Sequence, residues 1–183
     1  MFSTRWSNSG WLLILVCLST AGPAAAQYRF DHWTADNGLP QNSVREIVQT
    51  QDGYLWFTTF DGLVRFDGVR FTVFNKSNSP GLATNRFVSL FEDRNGDLWA
   101  GLDTGEVVRR HQGRFTTYTQ AQGLPNEGSP GLADDGLGNV AIYYMQFNTD
   151  DLGKVYTRLS LRAYRLSGDR FQSAEDVFSA AMA

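Results

Sequence analysis

From Val44 onward the chain alternates short apolar and β-branched runs with polar turn pairs. Val44 to Gln49, Tyr54 to Thr59, Leu63 to Phe66 and Arg70 to Phe74 are the first such runs. Between them stand Asp52-Gly53, Asp61-Gly62 and Asp67-Gly68. Each run has the length of a strand and is too short for a helix. Glycine accepts the positive φ of a tight hairpin turn, and aspartate caps the same turn with its side chain. The pattern predicts four antiparallel strands in close succession.

The whole group then recurs. Asp52-Gly53-Tyr54-Leu55-Trp56 returns as Asn95-Gly96-Asp97-Leu98-Trp99, a shift of 43, and Gly38-Leu39 returns as Gly81-Leu82 with the same shift. Val64-Arg65 returns at Val108-Arg109 and Phe71 at Phe115, where one inserted residue makes the shift 44. A degraded third copy opens at Gly123-Leu124-Pro125 and continues through Asp134-Asp135-Gly136, with Ala141 in place of the tryptophan. It is stretched around Asn148 to Leu159 and recovers its closing signature at Gly168-Asp169-Arg170-Phe171. Four strands in about 43 residues is the period of a β-propeller blade. The expected fold is all-β, an incomplete propeller of about three blades, with blade 1 over residues 37–80, blade 2 over 81–122 and an extended, degenerate blade 3 over 123–183.

Residues 27–36 precede the first copy yet match the end of the others. Arg-Phe opens the fourth strand each time, at Arg29-Phe30, Arg70-Phe71, Arg114-Phe115 and Arg170-Phe171. Residues 27–36 therefore read as an orphan fourth strand that closes a ring by completing its last blade, which hides two sheet edges. Three blades and one strand fall short of a ring, so the expectation is an N-terminal fragment or truncated product.

Composition adds a compartment. One charge, Arg5, precedes an apolar run from Trp11 to Leu18 and an Ala24-Ala25-Ala26 cleavage pattern. That run is too short to span a bilayer, so residues 1–26 are expected to be a cleaved secretory signal and the remainder to be periplasmic. The single cysteine, Cys17, lies inside the signal, leaving no disulfide or thiol chemistry in the mature part. Without Arg5 there are 15 basic and 19 acidic residues, a net charge of −4, with no basic cluster to attract nucleic acid.

Three segments, Asn37-Gly38-Leu39-Pro40-Gln41-Asn42-Ser43-Val44, Asp52-Gly53-Tyr54-Leu55-Trp56-Phe57 and Asp61-Gly62-Leu63-Val64-Arg65-Phe66-Asp67-Gly68, resemble the two-component regulator propeller repeats of bacterial periplasmic sensors. The resemblance covers about residues 28–125. It implies a large periplasmic sensing propeller followed, in the family, by a membrane helix and a kinase or other output module. It also implies a homodimeric receptor and an extracellular small-molecule or oligosaccharide ligand, with the remaining blades as intramolecular partners. No ATP-binding glycine motif or phospho-accepting histidine block occurs in these residues, so this chain is expected not to be an enzyme.

Individual residues sort accordingly. Trp56 and Trp99 repeat, with Gly53 and Gly96 in the preceding turns, and the phenylalanines Phe30, Phe71, Phe115 and Phe171 repeat in the fourth strands. Repetition favours blade packing over a sugar-stacking role for the tryptophans. Asp93-Arg94-Asn95-Gly96-Asp97 comes nearest to a calcium loop but lacks its full ligand spacing and distal glutamate, so no metal and no cofactor are expected. His32 and His111 have no partners at triad or zinc spacing and are expected at the surface or an edge. Asn42 and Asn85, with Arg45 and Arg86 close by, lie in loops entering the first strands, at an end of the ring where propellers bind ligands. They are the candidate ligand residues, with turn capping as the alternative. The rival function is an extracytoplasmic carbohydrate-active enzyme, a glycosidase or lyase, which would need a convergent carboxylate pair or an arginine cluster with a nucleophile.

Overall fold

The structure, a computed structural model, describes residues 30–125, 128–149 and 155–174. The expected secretory signal lies outside them. The described residues form three four-stranded antiparallel sheets. The first contains β1 (Glu46–Gln49), β2 (Leu55–Thr59), β3 (Gly62–Phe66) and β4 (Phe71–Phe74). The second contains β5 (Phe87–Glu92), β6 (Leu98–Leu102), β7 (Val107–His111) and β8 (Arg114–Tyr118). The third contains β9 (Pro130–Asp134), β10 (Val140–Thr149), β11 (Val155–Ser167) and β12 (Arg170–Ser173). Strands neighbour one another in chain order within every sheet, so each sheet is a meander. This is the architecture of propeller blades, and among the described residues no sheet closes into a barrel.

Successive sheets stack. β1 and β2 touch β5, and β5 and β6 touch β9, so the first strands of the three blades adjoin and form the hub side of a fan. Trp56 and Trp99 stand on the second strands, one step out from the hub. The register repeats too, because Trp56 pairs with Arg65 and Trp99 with Arg109, while Ala141 pairs with Arg165. The degraded third copy thus keeps its alignment despite losing the tryptophan. Its stretched region lengthens β10 and β11 rather than adding a strand; residues 150–154 between them lie outside the described residues.

Two seams hold the core. Blade 1 presents Trp56 and Leu63 to Leu82, Phe87, Leu90 and Leu98 of blade 2, and these six are 0–8% exposed. Blade 2 presents Trp99 and Val107 to Leu124, Val140, Ile142 and Tyr144 of blade 3, again at 0–2% exposure, with Leu124 and Val140 at the repeat positions of Leu82 and Leu98. Each tryptophan stacks on the aromatic of its own fourth strand, Trp56 on Phe74 at 5.5 Å and Trp99 on Tyr118 at 5.7 Å. That aromatic in turn meets the Arg-Phe phenylalanine of the next blade, Phe74 with Phe115 at 5.5 Å and Tyr118 with Phe171 at 5.3 Å. The repeat is therefore a packing device in which every blade needs the next to bury its large aromatics.

Backbone and side-chain bonds cross the same seams. The Glu46 carboxylate accepts from the Leu90 N–H at 2.7 Å, and at the equivalent position Ser89 donates to the Pro130 carbonyl at 2.7 Å. Tyr144 donates its hydroxyl to the Gly105 carbonyl at 2.6 Å. Burial pushes the Tyr144 phenol above its ordinary range, which leaves it a donor at any physiological pH.

The N-terminal segment departs from the expected strand. Phe30–Thr34 lie in no strand, and Ala35–Asn37 form a 3-10 turn capped by Thr34 and ended by Gly38 at φ 110°. A strand exists only as part of a ladder, and the described sheets include no blade whose first three strands lack a fourth. The same capped turn recurs at Gln120–Gln122 after Thr119, ending at Gly123, so the connection between blades is itself a repeated element.

Candidate functional site

The chain enters each first strand at the same end of the fan as the β2–β3 and β6–β7 turns. The four candidate ligand residues sit here, and the structure divides them into two pairs. Asn42 accepts the Ala35 N–H at 2.7 Å and Asn85 accepts the Lys76 N–H at 2.9 Å. Both amide oxygens are thus committed to fastening the inter-blade connection, the capping role weighed as the alternative. Gln41 does similar service by accepting the Phe60 N–H at 3.0 Å.

Arg45 and Arg86 instead converge on one ring. Their guanidinium carbons lie 4.9 Å and 4.0 Å from the centroid of Phe60, which sits at the β2–β3 turn. Arg86 also donates through Nε to Asp103, the residue that occupies the Phe60 position in blade 2, so its side chain spans the seam between the blades. The Arg86 side chain remains 51% exposed. Two outward guanidiniums around an aromatic face offer hydrogen-bond donors and a stacking surface, which is binding chemistry. Phe60 and Asp103 were not singled out from the sequence. The signal for them is a departure from the repeat, because position 60 is aromatic in one copy and acidic at 103 in the next.

The opposite end is built from the aspartate turns. Asp93 Oδ1 accepts the N–H groups of Asn95 and Asp97 at 2.8 and 3.0 Å, and its Oδ2 accepts the indole N–H of Trp99 at 2.9 Å. Asp135 repeats the turn in blade 3, accepting from Leu137 and Asn139. Burial alone would raise the Asp135 carboxyl, but the Asn139 side chain, the two backbone donors and Arg165 outweigh it and hold the group below its ordinary range. Asp97, at 3% exposure, takes the Arg109 Nε at 2.8 Å and lies 2.6 Å from His111 Nδ1. The stretch nearest to a calcium loop therefore spends its carboxylates on turn N–H groups, an indole and an arginine. Among the described residues no three metal-ligating side chains gather. His111 sits exposed at the end of β7 and His32 is exposed near the N-terminus.

Blade 1 has tyrosine where blade 2 has Asp97. Arg65, the counterpart of Arg109, therefore lacks that carboxylate and stacks 4.4 Å over Tyr54, while Arg110 of blade 2 lies 5.0 Å over Trp56 from the other side of the seam. Burial, with Arg65 nearby, lowers the Arg110 guanidinium below its usual range.

Fold and repeat together define an incomplete β-propeller of four-stranded blades. Residues 38–61 and 81–104 both match the family model described as two component regulator propeller, so these two stretches are similar to that family's repeats. The two stretches are the segments from the inter-blade glycine through the second strand, in blades 1 and 2. The fold is similar to the extracellular domain of BT3049 from B. thetaiotaomicron, assigned to a hybrid two component system, with 20% identity and a TM-score of 0.53 over 80% of this chain. It is similar also to the extracellular domain of BT4673 from the same organism, assigned to a one component system, with 19% identity and a TM-score of 0.52 over 80% of this chain. The chain spans about a fifth of the length of either domain, 21% and 20%. No curated protein matches the sequence.

Proposed function

We propose that the chain is a ligand-sensing propeller segment of a two-component signalling receptor, exported from the cytoplasm and acting in the periplasm. The observation that carries the reading is the match of one stretch in each of the first two repeats, residues 38–61 and 81–104, to the two component regulator propeller family, at the segments that build the hub and the tryptophan seam. The extracellular placement of the solved domains of like fold supports the compartment. Sensing falls to the end where Arg45, Phe60 and Arg86 meet, because two guanidiniums gather there on one aromatic ring and the Arg86 side chain keeps 51% of its surface exposed. The ligand is a small molecule or oligosaccharide, and occupancy biases a dimeric receptor through unequal affinity for two states. Catalysis has no part in this reading.

The test is a thermal-shift and turnover screen of the full chain against acidic and neutral oligosaccharides, in parallel with Arg86→Ala. A saturable rise in Tm without product, lost in the variant, is expected. Product formation, or a rise untouched by Arg86→Ala, would overturn the reading of the site.

A further inference from the structure

Each blade carries an arginine on its third strand, but among the described residues only blades 2 and 3 give it a carboxylate. Arg109 takes Asp97, and Arg165 lies 3.0 Å from Asp135. Both acids come from the turn between the first two strands of their blade. Blade 1 has Tyr54 at the repeat position of Asp97 and Thr50 at that of Asp135. Arg65 is left stacked 4.4 Å over Tyr54.

The facing blade adds a second cation. Arg110 stands where blade 1 has Phe66 and blade 3 has Leu166. Its strand neighbours Leu98 and Phe115 pack in the seam toward blade 1, so Arg110 occupies the face turned to Arg65. Both arginines are half-buried, and the Nε of each is buried with no hydrogen-bond partner among the described residues. The acid that acts on Arg110 is Asp52, which is exposed and already accepts the Thr50 hydroxyl at 2.5 Å and the Tyr54 N–H at 3.5 Å. One exposed carboxylate therefore faces two half-buried cations, and like charges in a partly desolvated seam favour a further anion.

A cavity of about 670 Å³ opens beside the pair, between β4 and the β7–β8 turn. Thr72, Val73, Phe74, Pro80, Gly113 and Phe115 line it, so its walls are mostly apolar. Thr72 is the strand neighbour of Arg65, and a Cβ at Gly113 would lie 3.9 Å from Nη2 of Arg110. The Arg110 guanidinium is also 5.9 Å from the Phe74 ring, which places it at the edge of the cavity. The connection from Phe74 to Gly81, which supplies Pro80, is two residues longer than the one from Tyr118 to Gly123.

We infer that the seam between blades 1 and 2 binds an organic oxyanion, its carboxylate or sulfate group held by Arg65 and Arg110 and its apolar body in the cavity. Guanidinium forks suit either head group. The cluster of Arg45, Phe60 and Arg86 lies at the other end of the fan, so the inference does not rest on the sensing role given to it.

The test titrates the ¹⁵N-labelled full chain and follows the arginine Nε–H resonances. The probes are phenylacetate, phenyl sulfate, inorganic sulfate and neutral benzyl alcohol. Saturable shifts at Arg65 and Arg110 are expected with phenylacetate or phenyl sulfate, and the tighter of the two names the head group. Benzyl alcohol is expected to cause none, and inorganic sulfate to bind at least about fivefold more weakly than phenyl sulfate because it buries no apolar surface. Arg110→Leu takes the residue of blade 3, and Tyr54→Asp restores the carboxylate of blade 2. Each is expected to weaken binding by about tenfold or more. Asp52→Asn, at the surface, is expected to tighten it about threefold by removing a like charge. Absence of saturable shifts, or binding that survives both Arg110→Leu and Tyr54→Asp, would overturn the site. Should those two variants not fold, Asp52→Asn decides alone, and unchanged or weaker binding in it counts against the inference. Inorganic sulfate binding as tightly as phenyl sulfate would overturn the role of the cavity. Loss of binding in Arg86→Ala would move the anion to the other end of the fan, refuting this site while leaving the sensing reading intact.

Discussion

The indole N–H of Trp99 donates to Oδ2 of Asp93 at 2.9 Å, which ties the main seam aromatic of blade 2 to the turn that precedes its strand. Asp93 is 5% exposed and also holds the N–H groups of Asn95 and Asp97, so one carboxylate satisfies three donors, two of them on the buried residues Asp97 and Trp99. Removing it strands all three, and each unsatisfied buried group costs about 1–3 kcal/mol. Asp93→Ala is expected to lower stability by roughly 3–5 kcal/mol, and Asp93→Asn by less, since its carbonyl oxygen keeps part of the set. Urea denaturation of the two variants checks the order.

Trp56 and Trp99 test whether the seams are equivalent. At 2% and 1% exposure each is buried in its seam, and truncation of such a side chain costs about 3–5 kcal/mol. Trp56→Ala and Trp99→Ala are expected to destabilise by similar amounts, and the double variant by at least their sum. A loss under about 1 kcal/mol for either would show that its seam is not part of the folded core.

Gly81 is needed for a close approach as well as for its φ of +95°. A Cβ there would collide with the Phe115 carbonyl, and Gly123 stands against Phe171 in the same way. Gly81→Ala is expected to cost about 2–4 kcal/mol and to separate the fourth strand of blade 2 from the inter-blade connection. Hydrogen exchange at Thr116 to Tyr118 would report the separation.

Glu46 gives the seam between blades 1 and 2 a pH dependence. Burial raises its carboxyl above the ordinary value, against a smaller opposing effect of the Leu90 N–H. The folded chain therefore holds this proton more tightly than the unfolded chain. The stabilisation is present in full below the unfolded pKa near 4.5 and is lost as pH rises through the higher folded value. Glu46→Gln keeps an acceptor for Leu90 and removes the charge. Its Tm is expected to match the parent near pH 4, exceed it at pH 7, and vary less between the two. A parent that gains stability relative to Glu46→Gln on going from pH 4 to pH 7 would contradict the sign.

Much of the fold was legible in the sequence because it is local. The Asp-Gly turns impose positive φ and side-chain caps within four residues, and the alternating runs between them can pair only with their neighbours. The meander of each blade follows, as does the placement of β2, β6 and β10 by the same register. The tryptophans were assigned to packing from their repetition alone, and they lie in the seams. The ligand-binding candidates were less legible. Asn42 and Asn85 look like Arg45 and Arg86 to a motif reader, yet a seven- or nine-residue backbone contact consumes the first pair while a seam-spanning stack on Phe60 gathers the second.

The sequence by itself determined the blade, its period and its hub-to-rim order, since turn chemistry and strand pairing act over distances of a few residues. Only the tertiary structure decided which aromatics meet across blades, because that depends on which sheet face each side chain occupies once the sheets stack. It likewise decided that Trp33 rests on blade 1 beside an open groove while Ala141 leaves the third blade without its tryptophan. An alternation of period two says that a face is apolar, and only stacking says whether another sheet covers it.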